Sequence, residues 1–428
     1  GTAALCLLAS TAVAAASSNT DARLDQLEEM VRQQNAEIQD LKAGEANEDT
    51  DQQNEATQAQ IEGLNAKIDN KDADAWWHDT KVSGRMYFDM TSLEQKTNGS
   101  DVAKQKGVGF DIKRFYIGID HKFDSIFSAN ITTDFTYDSS VGTTQIYIKK
   151  AFLDAHIDDA FDVKVGSTDM PWIPFAEGIY GYRYVENTLI DRVKLGNSAD
   201  WGAHFSGKFA DGMFNYAVSV INGAGYKNPP GAGNAVKFKT VDVEGRLSAT
   251  FDGFTLAAGG YDGKLGKDVQ GASPAASNNA TRFNALAAYV DPMFRVGVEY
   301  FSAKDYFNIN PSSSTCSPNP ASKCKDSDSG YSGFASVKFD PQWAVFGRYD
   351  WVQEKTNDTS IRKPRDGYYN VGVEWTPSKI VSLSLVYKHD SEEHGALSQQ
   401  NGSGTLGSAS LTSKGTFNEV GIFGLFQW

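Results

Sequence analysis

The chain has 428 residues, enough for several ordinary domains or one large β-structure, and 12% of them are aromatic although the mean hydropathy is only −0.42. Tyr, Phe and Gly are plentiful, a mixture suited to half-exposed strands rather than to a helical bundle. The net charge of −14 is uneven: residues 1 to 79 hold sixteen Asp and Glu against five Lys and Arg, so the acidity characterises this segment and not the large remainder. No basic stripe with interleaved aromatics stands out, which argues against a nucleic-acid partner.

The first residues, ALCLLASTAVAAASS, form a short apolar run ending in small residues, and residues 1–16 read as the remnant of a secretory signal. Cys6 belongs to that run. Cys316 and Cys324 lie in CSPNPASKC, where an exported chain is expected to close a disulfide across the small loop. Residues 17–79 are expected to be an acidic periplasmic segment with coiled-coil or linker character. Leu24, Val31 and Ile38 stand seven apart, Leu27 and Leu41 fill the second seam position, and Ile61, Leu64 and Ile68 resume in another phase.

From Lys81 onward, alternation of period two replaces the helical period, and sixteen strands are predicted between residues 81 and 427. Most are nine to thirteen residues long, which fits a tilted membrane-crossing strand. The links after even strands are short and rich in Asp-Gly, Asp-Pro and Thr-Pro: KFDSIF, IDDAFD, FADGMF, TFDGFT, VDPMFR, FDPQWA and WTPSKI. Links after odd strands are mostly long, among them 92 to 109, 170 to 199, 223 to 236, 263 to 280, 306 to 328 and 391 to 415. This alternation predicts an all-β fold: a 16-stranded antiparallel transmembrane β-barrel over residues 80–428 with short periplasmic turns, preceded by the helical segment. The final NEVGIFGLFQW is then the strand that closes the sheet against the first.

Facing follows from the alternation. In AVFGRYDWV, Val345, Tyr349 and Trp351 share one face while Arg348 and Asp350 share the other, and in FRVGVEYF the apolar residues oppose Arg295 and Glu299. An arginine turned toward lipid at mid-depth costs roughly 2–4 kcal/mol, so the charged face looks inward. The doublets Lys113-Arg114 and Lys149-Lys150 break the rule, and strict alternation sends one lysine of each outward to snorkel.

A barrel this wide holds water, and its function is expected from what narrows that water. The link 170 to 199, dense in aromatics, is expected to fold inward as a constriction carrying Arg183, Arg192 and Lys194 with Glu177, Glu186 and Asp191. Trp172, Tyr180, Tyr182 and Tyr184 are its aromatics, and the alternating tyrosines raise a sugar-stacking track as an alternative. By parity, Arg85, Arg114, Lys150, Lys164, Arg246, Arg282, Arg295, Lys338 and Arg348 join the pore-lining, anion-binding set, with Asp120, Asp134, Asp154, Glu299, Asp350 and Glu374 as counter-charges.

The stretches VGFDIKRFYIGIDHKFDSIFSANITTDF, KKAFLDAHIDDAFDVKVGSTDMPWIPFAE and ADWGAHFSGKF resemble the phosphate-selective porin O and P family, most clearly from Lys81 to Asn222. The resemblance implies a trimeric outer-membrane channel for phosphate and related anions, set in outer-membrane lipid and lipopolysaccharide. Lys113 and Arg114 fall in that family's arginine-rich second strand, with Tyr116 where a further inward arginine is expected, and Gly166, Pro171 and Trp172 match its strand-to-loop motif. No enzyme signature is present. The HDSEEH run, with His389 and His394, and KDSDSG read as solvated acidic loops, so no metal, cofactor or catalytic residue is expected. The expected activity is passive diffusion of small anions, the alternatives being a general or sugar-type porin, or an envelope tether that uses the barrel as an anchor.

Overall fold

The computed structural model describes residues 29–36, 58, 60–62, 77–138, 143–228, 237–270, 276–307, 309, 326–356, 364–398, 405–407 and 412–428. The signal run, Cys6, Cys316, Cys324 and most of the heptad stretch lie outside these residues; residues 29–36 are helical. Residues Gly1–His78 form one unit and Asp79–Trp428 a second.

The second unit is a closed barrel. Its first strands are β1 (Thr80–Thr97), β2 (Ser100–Lys122), β3 (Phe127–Asp138), β4 (Thr143–Asp158) and β5 (Phe161–Asp169). After the long link come β6 (Ala199–Phe209), β7 (Phe214–Ile221), β8 (Asp242–Phe251), β9 (Phe254–Gly263), β10 (Ala280–Val290) and β11 (Phe294–Lys304). The last wall is β12 (Asp326–Asp340), β13 (Trp343–Thr356), β14 (Arg365–Ser378), β15 (Val381–Glu393) and β18 (Lys414–Gln427), with a small hairpin of β16 (Ala396–Ser398) and β17 (Thr405–Gly407) inserted before β18. Each barrel strand pairs with its two neighbours, and β18 closes the ring antiparallel to β1, from Arg85↔Gln427 to Thr97↔Gly415. All sixteen predicted strands are present.

The closure explains the aromatic last strand. Trp428 exchanges both backbone hydrogen bonds with Gly84, and its ring covers that glycine so closely that an added Cβ would lie 1.9 Å from Cζ2. Turn chemistry explains the short links. The Asp124 carboxylate accepts the N–H groups of Ile126 and Phe127, each at 2.7 Å, and Asp291 repeats the arrangement with Met293 and Phe294. Those backbone donors, from Phe127 and then Ile126, hold the Asp124 carboxyl below its ordinary pKa.

Two expectations change. The link 92 to 109 is no loop: β1 and β2 continue outward as a long hairpin that turns at Asn98 and Gly99, both with positive φ. The Lys113 and Lys149 side chains do not point to lipid. The β1–β2 register shifts between Tyr87 and Phe88, so Arg114 faces Tyr87 and Ile112 faces Phe88, with Lys113 as the extra residue. The β3–β4 register shifts between Thr132 and Thr133 in the same way and leaves Lys149 extra. A β-bulge of this kind resets the parity of a strand. Both members of each basic doublet therefore face the lumen, while Phe110, Ile112, Ile146 and Ile148 keep the apolar face outward.

Candidate functional site

The link after β5 enters the lumen and begins with a helix, Ile173–Tyr180, that has Pro174 in its first turn and stops at Gly181 in the left-handed region (φ 81). A Cβ at Gly181 would run into the Arg295 guanidinium, 2.3 Å from Nη1, because Arg295 caps the helix end by donating to the carbonyls of Gly178 (3.1 Å) and Ile179 (2.5 Å). A second short helix, Leu189–Arg192, follows.

One wall of the barrel is consumed in holding this link. Trp172, Ile173, Leu189, Ile190, Val193 and Leu195 are buried in one apolar cluster with Ile221, Leu286 and Phe301, and Tyr180, Tyr182 and Tyr184 in another with Phe334, Phe346 and Phe423. Tyr182 stacks on Phe346 at 4.0 Å and Tyr180 meets Phe334 edge-on at 5.5 Å. The Tyr184 hydroxyl donates to Glu374 at 2.8 Å, and Trp172 Nε1–H donates to Glu299 at 2.7 Å. With these faces covered the four aromatics present no stacking track to a solute.

The charges on that wall behave likewise. Arg192 is completely buried, its three nitrogens donating to Asp350 (2.8 Å), Asp366 (2.5 Å) and Asp390 (3.2 Å), and its plane lies over the Tyr368 ring at 4.6 Å. Arg348 pairs with Asp350 at 2.6 Å and donates to the Asn187 carbonyl at 2.5 Å. Arg282 pairs with Glu244 at 2.6 Å and donates to the Leu195 carbonyl. Arg246 donates to the Pro171 carbonyl at 2.8 Å, and Lys388 bridges Glu186 (3.3 Å) and Glu419 (3.0 Å). Arginine suits these clamps because its planar fork donates in several directions at once. Parity turns Arg246, Arg282, Arg295 and Arg348 inward, where the link meets them; it carries no signal that the link takes their donors.

The opposite wall stays open. A cavity of about 980 Å³ lies at the short-turn end and includes Arg85, Lys149, Lys150, Asp169, Glu177, Arg183, Lys379 and Trp428. A smaller one of about 280 Å³, toward the long links, includes Arg114, Arg183, Asp191, Lys194 and Lys227. Tyr116 and Arg183 line both. Arg183 is braced by Glu177 at 2.5 Å and Asp191 at 3.5 Å. Lys150 pairs with Asp169 at 2.5 Å, and Arg114 lies 3.8 Å from Asp134. Lys164 pairs with Asp162 at 3.0 Å, and Lys338 sits exposed near the end of β12. Lys149 completes the cationic wall, while Lys113, also inward, donates to the Val185 carbonyl of the link at 3.2 Å; strict alternation assigns neither to the lumen. Among the described residues no group of three or more His, Cys, Asp or Glu could hold a metal ion.

Comparison with known proteins places the fold. No protein-family model matches the chain, and no curated protein matches it by sequence. Among solved structures, the anion-selective porin from Comamonas acidovorans superposes with a TM-score of 0.53 at 11% identity, over 81% of this chain and 99% of that one. The outer-membrane channel DcaP of Acinetobacter baumannii gives 0.53 at 11%, over 80% and 96%. The trimer form of OmpT, an outer-membrane protein of Vibrio cholerae, gives 0.53 at 12%, over 82% and 99%. The barrel has the porin fold. At these identities the likeness describes the architecture.

Proposed function

We propose that the chain is an outer-membrane porin: a passive, water-filled channel that prefers anions, surrounded by outer-membrane lipid and lipopolysaccharide, assembled as a homotrimer, with its acidic N-terminal segment in the periplasm. The observation that carries the reading is the meeting of two cavities at Arg183 and Tyr116, where cations outnumber carboxylates on both sides. Charges of one sign in a narrow, low-dielectric passage raise the local concentration of the opposite ion. The anion-selective porin among the structural neighbours is in keeping with this. Phosphate, to which the family resemblance points, is the solute to test first.

The test is the reversal potential of the purified protein in a planar bilayer under a potassium chloride gradient, repeated with phosphate as a blocker. Chloride is expected to pass in preference to potassium, and Arg183→Ala is expected to reduce both that preference and the phosphate block. Cation preference with no effect of phosphate would reject the reading. Deleting residues 21 to 75 is expected to leave conduction intact, whereas a tether would lose its function with that segment.

A further inference from the structure

We propose that Lys149 is the principal specificity-determining residue of the channel, the cation that a passing small inorganic anion contacts directly, and that the β-bulge at Lys149 exists to deliver it. This rests on the anion-channel reading and goes beyond it by assigning the preference to one side chain.

Three observations converge on Lys149. Its strand has two parities: Ile146 and Ile148 are 61% and 37% exposed on the outer face, yet Lys149 and Lys150 both line the lumen cavity, which a regular strand cannot do. Unbulged, the strand would turn one lysine of the pair toward lipid, so the extra residue has a large local cost to avoid. The side chain lines the larger cavity next to the residues shared with the smaller one: the Lys149 ammonium lies over the Tyr116 ring, 4.7 Å from its centre, and Tyr116 is one of the two residues that line both cavities. The ring positions the ammonium without neutralising it.

The third observation is the state of its charge. Among the described residues no carboxylate lies within 4.0 Å of Lys149, whereas Lys150 has Asp169 at 2.5 Å, and Arg183 has Glu177 and Asp191. The second bulge supplies an internal comparison. Lys113 is turned inward by the same device, but it lies 3.8 Å from Asp89 and donates to the Val185 carbonyl at 3.2 Å, so its charge serves the inserted link. Among the described residues Arg85, Lys379 and Lys194 also have no carboxylate within 4.0 Å, but Arg85 and Lys379 sit beside Trp428 at the short-turn end and Lys194 is exposed, so that water screens all three.

The experiment compares Lys149→Gln, Lys150→Gln and Lys149→Arg by reversal potential, each barrel first shown to be folded by its heat-dependent gel mobility. A unit charge about 6 Å from the ion path in a water-like medium changes the local concentration of each ion about threefold, in opposite directions for anion and cation, and so changes their permeability ratio about tenfold. Lys149→Gln is therefore expected to lower the chloride-to-potassium ratio by about that factor, Lys149→Arg to keep it, and Lys150→Gln to change it less than Lys149→Gln does. Lys149→Cys supplies an independent readout. A cationic methanethiosulfonate reagent is expected to restore the ratio and an anionic one to depress it further, while Ile148→Cys, facing lipid, is expected to show no change with either. An anion-preferring wild type whose ratio is unmoved by Lys149→Gln, or moved equally by Lys150→Gln, overturns this inference alone; a cation-preferring wild type overturns the channel reading beneath it.

Discussion

Arg183 and Arg192 stand nine residues apart in one inserted link, yet they belong to two differently built halves of the same lumen. Arg192 is sealed against β13, β14 and β15 with three aspartates around it, whereas Arg183 borders two water-accessible cavities and is braced by acids of its own link. Both arginines are inward, both are paired, and only one can meet a solute. The comparison teaches that an inward cation becomes part of a channel surface only where no other piece of protein reaches it first. On the β8–β15 wall the link covers the charges and turns them into fasteners. On the β1–β5 wall the same residue types are mostly left to the water, Lys113 being the exception that the link reaches.

That contrast can be broken most severely at Arg192. Arg192→Ala leaves Asp350, Asp366 and Asp390 buried around a missing cation, a loss of about 3–5 kcal/mol by analogy with other broken buried ion pairs. The expected result is a lower thermal midpoint by gel mobility together with a larger, noisier single-channel conductance, because the link is no longer held to the wall. A conductance that stays at the wild-type level would show that the aromatic clusters alone position it. Trp172→Ala removes a fully buried ring and the donor to Glu299, for a comparable or slightly smaller cost of about 3–4 kcal/mol, and is read out by the same two measurements.

The next effect sharpens the comparison by acting at the short-turn mouth of the open half, away from Arg183 and Arg192. Gly84→Ala forces the Trp428 ring off the seam where β1 meets β18, and overpacking of this kind costs about 1–3 kcal/mol. Faster heat-induced unfolding with unchanged ion preference is expected, measured by gel mobility and reversal potential on the same preparation. The smallest effect lies outside the membrane. The Asp124 carboxyl is held below its ordinary value by the N–H groups of Phe127 and Ile126, so its contribution is present above the unfolded carboxylate pKa of about 3.9 and is lost as pH falls through the lower folded value. In an acid titration of the thermal midpoint, Asp124→Ala is expected to remove a small part of the loss and to leave conduction at neutral pH unchanged.

Much of this architecture was readable from the residues. The short links rich in Asp-Gly, Asp-Pro and Thr-Pro mark tight turns, and where an aspartate is present its short carboxylate satisfies the backbone donors that the turn exposes, as Asp124 and Asp291 do. Alternation of Val296, Val298 and Tyr300 with Arg295 and Glu299 tells the lipid face from the water face, because each placement the other way is costly. The aromatic density of residues 170–199 signals that the link is buried somewhere.

Other features needed three dimensions. Alternation is a statement about regular strands, and it fails at Lys113 and Lys149 because one extra residue exchanges the two faces; whether a doublet bulges depends on what the neighbouring strand offers opposite it. Parity likewise identifies Arg246, Arg282, Arg295 and Arg348 as inward but says nothing of the carbonyls of Pro171, Leu195, Gly178 and Asn187, which arrive from a distant part of the chain to claim them. The sequence by itself determined a closed sheet with an oily exterior and an ionic interior, because period, turn chemistry and the cost of charge in lipid are local properties. Which interior charges hold the inserted link and which remain for a solute was decided by the tertiary structure, since that depends on where two segments far apart in the chain come into hydrogen-bonding range.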